Sequence, residues 1–198
     1  MGGSPAEHHP TPQREEPFIR RCGTRWQDCD VNSNEPAFTV RPASPEDLLS
    51  VLRVHARRDS DGQLPVTASE VEGEMWAHMF EVPGLSVYLA EIDGDAVGTA
   101  SAMLFPNITY DCQPTAIIEA VVVVHEYRRQ GVATSLLRHI LKDMKSAGCN
   151  KVQLLSHKRH SIDGAHRLYT SLGFEPEAEG FRLYLLSVPK EVEEARRH

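Results

Sequence analysis

Apolar residues recur along this chain with two periods, and the switches between the periods mark its elements. Phe38-Thr39-Val40-Arg41-Pro42 alternates and stops at proline, which predicts a first strand. Ser44-Pro45-Glu46-Asp47 reads as a helix start, with serine at the N-cap, proline at N1 and acids in the first turn. Leu48, Leu49, Leu52 and His55 carry that helix on one face. Beyond a polar loop, Ser60 to Thr67, Ser69 caps a second helix whose Val71, Met75, Met79 and Phe80 are expected to face inward. Pro83-Gly84 ends it. Leu85 to Ile92 alternates as a strand, and Asp93-Gly94 reads as a tight turn into another strand over Ala96 to Phe105. The loop Pro106 to Thr115 follows, carrying Asn107, Tyr110, Asp111 and Cys112.

From Ala116 to Val124 the pattern changes. The residues are apolar and mostly β-branched without alternation, as in a strand buried on both faces, and Glu119 is the one acid among them. After a short polar stretch, Val132, Leu136, Leu137, Ile140, Leu141 and Met144 form a single helical stripe. Gly148 stands at its C-cap, and Lys142 and Lys145 complement the dipole in its last turns. A short strand at Lys151 to Ser156, a polar loop at His157 to Ser161, a helix from Asp163 to Leu172 closed by Gly173, and a last strand at Phe181 to Leu186 complete the pattern. Residues 1–36, proline-rich and without periodicity, read as a flexible N-terminal extension; 37–188 form the domain; 189–198 are a polar C-terminal tail. Periodicity alone supports an α/β or α+β domain.

A buried strand feeding a glycine-containing turn that opens a helix is suited to bind an anion. The first helical N–H groups have no internal partner and the dipole favours negative charge. Gly131 and Ala133 leave the main chain of Gln130 to Thr134 open to a phosphate, and Arg128 and Arg129 add charge to the rim. Neither GxGxxG nor GxxxxGK[ST] is present. Arg128-x-x-Gly131-x-Ala133 after a hydrophobic strand resembles the Q/R-x-x-G-x-G/A signature of the GNAT acetyltransferase superfamily, which cradles the pyrophosphate of acetyl-CoA. Downstream, Ala165 to Phe174 resembles that family's A-x-x-x-Y-x-x-x-G-F segment, with Tyr169 as its tyrosine. Where many members carry asparagine seven residues before the tyrosine, this chain has Ile162.

The resemblance implies a fold and a reaction. The fold is a central mixed sheet, mostly antiparallel, with a splayed parallel strand pair that admits the pantetheine arm, flanked by helices. The reaction is transfer of the acetyl group of acetyl-CoA, as acyl-donor cosubstrate, to a primary amine by direct attack in a ternary complex. The implied donor clamp is the main chain of Arg128, Arg129, Gln130, Gly131, Val132, Ala133 and Thr134, with the strand amides of Val121, Val122 and Val123. Tyr169 is the implied general acid for the leaving thiolate; a place in the apolar stripe Ala165, Leu168, Leu172 is its plainer role. Glu119 is the candidate base, as an acid in an apolar strand that shares a face with Val121 and Val123. An exposed strand-start residue is the alternative, with water carrying the proton. His157 and His160 could orient an acceptor, though solvated surface is the plainer reading. A non-catalytic acyl-CoA-binding or sensing module is the alternative from another class.

Composition narrows the partners. The 198 residues carry a net charge of −7, which argues against a nucleic-acid surface and is compatible with an amine acceptor, either a small molecule or a protein N-terminus. The sequence has no membrane-length apolar run and no apolar signal core, so the expectation is a soluble, cytoplasmic protein without a membrane partner. Cys22, Cys29, Cys112 and Cys149 lack metal-site spacing, and neither metal nor disulfide is expected. A homodimer is left open.

Overall fold

The computed structural model describes residues 38–58, 64, 67–161, 164–181, 183 and 185. The expected extension over 1–36 and tail over 189–198 lie outside the described residues. The described chain runs β1 (Thr39–Pro42), a 3₁₀ turn (Pro45–Asp47), α1 (Leu48–Ala56), α2 (Glu70–Glu81), β2 (Leu85–Ile92), β3 (Asp95–Phe105), β4 (Thr115–Val123), a 3₁₀ turn (His125–Tyr127), α3 (Val132–Ser146), β5 (Lys151–Leu154), a 3₁₀ turn (Lys158–Ser161) and α4 (Ala165–Ser171). The five strands form one sheet in sequence order, antiparallel except for the β4–β5 pair, which is parallel. This is the mixed, helix-flanked sheet that the resemblance implied.

Local chemistry accounts for most boundaries. Ser69 and Glu72 close a reciprocal capping box at the start of α2, with Glu72 Oε2 accepting from Ser69 N at 2.7 Å. Those bonds hold the Glu72 carboxyl below its ordinary pKa. Asp93 and Gly94 both have positive φ, 49° and 86°, as a type I′ hairpin turn requires. Asp47 accepts from Ser44 N at 2.7 Å and takes a bidentate pair from Arg41 at 2.7 and 2.8 Å, while Arg41 also reaches Glu91 at 2.7 Å. One guanidinium thus joins β1, β2 and the start of α1. It holds the Asp47 carboxyl well below the usual carboxylate range.

Two apolar layers cover the sheet. On one face α3 buries Val132, Leu136, Leu137, Ile140 and Met144 against Ala100, Ala102, Ala116 and Ile118. Each large side chain so buried contributes about 1.5–3 kcal/mol relative to exposure. On the other face α1 packs Val54 onto Val122 and Val124, and α2 packs Trp76 onto Val87 and Leu89. The inward face of α2 differs from the expected one. Trp76 is buried and donates from Nε1 to Pro45 O at 2.9 Å, with Met79 beside it, whereas Val71 is 72% and Met75 57% exposed. The indole sets the helix phase, and Val71 and Met75 fall on the neighbouring, open strip. Of the last expected strand, only Phe181, Leu183 and Leu185 lie within the described residues; they belong to no strand and are exposed. No described helix is long and apolar enough to cross a membrane.

Candidate active site

The centre of the site is the place where β4 and β5 part. Their parallel register runs from Thr115 opposite Lys151 to Ile118 opposite Leu154 and stops there. β4 continues for five more residues with β3 as its only partner among the described residues, which leave its other edge open from Glu119 to Val123. Val124 N bonds Val97 O at 3.0 Å, and Val122 stands opposite Thr99. Antiparallel alternation then turns the peptide groups of Val122 toward β3 and those of Val121 and Val123 toward the gap. Of the three expected strand contacts, Val121 and Val123 present their main chain there. Val122 is instead a buried side chain under α1.

A bulge lies at the mouth of the gap. Ala120 has φ 52°, and the register slips there, with Glu119 opposite Ser101 but Val122 opposite Thr99. The extra residue reverses which side chains face which layer. Ala116 and Ile118 pack toward α3 before it, and Val121 and Val123 do so after it. Glu119 therefore does not share a face with Val121 and Val123, as the uninterrupted strand pattern led one to expect. It points with Ser101 to the side of α1 and α2, and it is exposed rather than buried.

Past β4, the turn His125–Tyr127 brings the chain to Arg129 (φ 61°) and Gly131 (φ 92°), the N-cap of α3. Two left-handed residues in three pull the chain tightly into the helix, and glycine takes the larger angle without strain. Within α3 the first amide to make a backbone bond is that of Ser135, to Gly131 O at 2.9 Å; those of Val132, Ala133 and Thr134 precede it and have no backbone partner among the described residues. α3 sits unusually close to the sheet. A Cβ at Gly98 would fall 2.9 Å from Val132 Cγ1 and 3.4 Å from Val122 O. Gly98 is thus a part of the site that the sequence reading passed over; an isolated glycine inside a strand was its only sign. Arg129 is exposed at the rim, Gln130 bonds Glu126 O at 2.7 Å through its side chain, and Arg128 is turned away toward backbone carbonyls. Tyr169 lies half-buried on α4, packed against the α3 layer and edge-to-face with Phe174 at 6.0 Å. One turn earlier, His166 Nε2 is buried without a hydrogen-bond partner among the described residues. His157 and His160 stack edge-on at 6.4 Å in the segment after β5, and Ile162 lies outside the described residues.

The model of the acetyltransferase (GNAT) family matches residues 52–174, which span both the open β4 edge and the α4 segment. The chain belongs to the GNAT acetyltransferase family. It is 30% identical over 118 residues to an N-alpha-acetyltransferase of Sulfurisphaera tokodaii, covering 52% of this chain and 68% of that protein. It is 31% identical over 131 residues to a glucosamine 6-phosphate N-acetyltransferase of Trypanosoma brucei brucei, covering 57% of this chain and 86% of that protein. A solved protein of Agrobacterium tumefaciens str. C58, assigned as an acetyltransferase, superposes with a TM-score of 0.66 at 30% identity, covering 74% of this chain and 99% of its own. In this GNAT chain the donor set is main-chain N–H at the α3 turn and at a strand edge, a set suited to phosphate and amide oxygens. Among the described residues there is no cluster of His, Cys, Asp or Glu able to hold a metal.

Proposed function

We propose that this GNAT protein transfers the acetyl group of acetyl-CoA to a primary amine by direct attack in a ternary complex. The single observation that carries the reading is the edge of β4, Glu119 to Val123, open among the described residues and leading straight into the first amides of α3, which have no backbone partner among them. A pyrophosphate at that turn would be held by Val132 to Thr134 N–H groups, the helix dipole and the Arg129 charge. The pantetheine would lie along the edge, with the amides of Val121 and Val123 facing it and the thioester carbonyl near one of them.

The amine lone pair attacks the thioester carbon, and the C–S bond breaks. The leaving thiolate takes a proton from the Tyr169 hydroxyl, and the amine loses its proton to Glu119, directly or through water. The position of Glu119 supports that role, because alternation with the buried Ile118 points the carboxylate away from the packed α3 layer and leaves it exposed. The similar proteins act on a protein α-amine and on an amino sugar phosphate. A panel of spermidine, kanamycin, glucosamine 6-phosphate and a short unblocked peptide, assayed for CoA release with acetyl-CoA, tests the reading. Tight acetyl-CoA binding with no turnover on a wide amine panel would favour a sensing module instead.

A further inference from the structure

Arg128 opens the donor motif, yet its guanidinium, though exposed, is bonded to main-chain carbonyls of the protein itself. Nε donates to Val123 O at 3.2 Å, and Nη2 donates to Arg58 O. Two more links join the same pieces: His125 N donates to Arg57 O at 3.1 Å, and the Arg57 guanidinium lies 4.0 Å from the Glu126 carboxylate. Arg57 and Arg58 are the residues at which α1 stops; Arg57 N bonds Arg53 O at 3.0 Å and Arg58 N bonds His55 O at 3.2 Å. Carbonyls at a helix C-terminus lack internal partners, and a cation there also complements the dipole. A planar guanidinium can serve two carbonyls in divergent directions, which a lysine ammonium on one flexible stem does poorly. α1 in turn covers the face of β4 opposite to α3, through Val54 on Val122 and Val124, and Glu119 faces that same side. The donor loop and the end of the acceptor-side helix are therefore one hydrogen-bonded body.

We propose that Arg128 is a positioning residue that transmits occupancy of the donor loop to the C-terminal end of α1 and so sets the acceptor side, instead of being a phosphate ligand. The proposal rests on the acetyl-CoA reading above. Coupling of this kind is reciprocal: if donor binding steadies the end of α1, the acceptor binds better to the donor-loaded protein.

The test uses the full chain, free CoA as probe, and hydrogen exchange at the amides of Arg57 and Arg58. In the wild type, CoA should slow their exchange ~5-fold or more. Arg128→Met keeps the aliphatic stem; it should bind CoA within ~3-fold of wild type by calorimetry and lose the slowing. With the best amine of the panel, its KM for the amine should rise ~10-fold while kcat moves much less, and Arg128→Lys should recover part of both effects. Exchange unaffected by CoA in the wild type would overturn the proposal. So would an Arg128→Met chain that loses CoA binding ~100-fold with its amine KM unchanged, since that is how a phosphate ligand behaves. If Arg128→Met does not fold, Arg128→Lys carries the comparison, with a partial loss of slowing supporting the proposal and full slowing overturning it. A wild type that fails to bind CoA defeats the acetyl-CoA reading itself, and calorimetry shows that first.

Discussion

Replacing Gly98 by alanine perturbs the donor clamp from behind, without touching any group that would meet the ligand. The new methyl would lie 2.9 Å from Val132 Cγ1, 3.4 Å from Val122 O and 3.5 Å from Ala90 Cβ. Carbon atoms rest at about 3.5–4.0 Å, so Val132 has to withdraw by roughly 0.6–1 Å. Val132 is the first residue of α3, and its N–H has no backbone partner among the described residues. Overpacking of this size costs about 1–3 kcal/mol, which for a chain of this length means a melting temperature lower by roughly 2–12 °C. The shift of the helix start should also raise the acetyl-CoA KM, by ~10-fold, because a 1 Å misplacement costs up to ~10²-fold. Scanning calorimetry and CoA titration read the two effects separately. Val132→Ala in the same chain gives the methyl its space back, so the double variant should regain affinity and be markedly non-additive in stability. Additive losses in that cycle, or a destabilised Gly98→Ala with unchanged CoA affinity, would refute the idea that Gly98 seats the clamp.

Tyr169→Phe keeps the ring against Phe174 and removes the hydroxyl; kcat should fall ~10²-fold or more with CoA affinity and melting temperature nearly unchanged, and a normal kcat would take the phenol out of the mechanism. Glu119→Gln should lower kcat/KM at neutral pH by ~10-fold or more and weaken its dependence on pH, as pH–rate profiles would show. Asp47, held down by Arg41, contributes stability that is complete above its unfolded pKa of about 3.9 and is lost as pH falls toward its lower folded value. The advantage of the wild type over Asp47→Asn in urea midpoint should therefore shrink steadily from about pH 4 to pH 2. Ala120→Gly should relieve the left-handed strain and stabilise the fold by about 1 kcal/mol, measured by the same denaturation, with no change in the β4 register.

Where a local rule decides the outcome, the chain could be read directly. Ser69 reads as a helix cap, Asp93-Gly94 as a tight turn, and the Val132 to Met144 stripe as a helix; all three stand as expected. The motif residues Gly131 and Ala133 likewise led to the α3 turn, because glycine before a helical stripe has few other meanings. What escaped reading depends on contacts between distant segments. Nothing in Ile117-Ile118-Glu119-Ala120-Val121 announces that Ala120 will take φ 52°, so Glu119 was expected on the wrong face. The phase of α2 turned on whether Trp76 could find an acceptor, and Pro45 O, thirty-one residues away, supplied it. Arg128 looked like rim charge because charge is visible in a sequence and the carbonyls of Val123 and Arg58 are not.

Ala120 also fixes how β4 can change. A pleated strand counts in twos, and one surplus residue resets the count, so the segment before Ala120 and the segment after it keep opposite parity. Deleting that one position would restore a single count along β4 and leave Ala116, Ile118, Val121 and Val123 together on the α3 side, with Val122 still under α1. Glu119 would keep its side as well, because it alternates with Ile118 whether or not the surplus residue is present. A residue removed anywhere else in the strand would instead deliver one of the two segments to the wrong layer, and no repacking of single side chains could absorb it. The strand is therefore tolerant in length at this one position and intolerant of the same change at its neighbours.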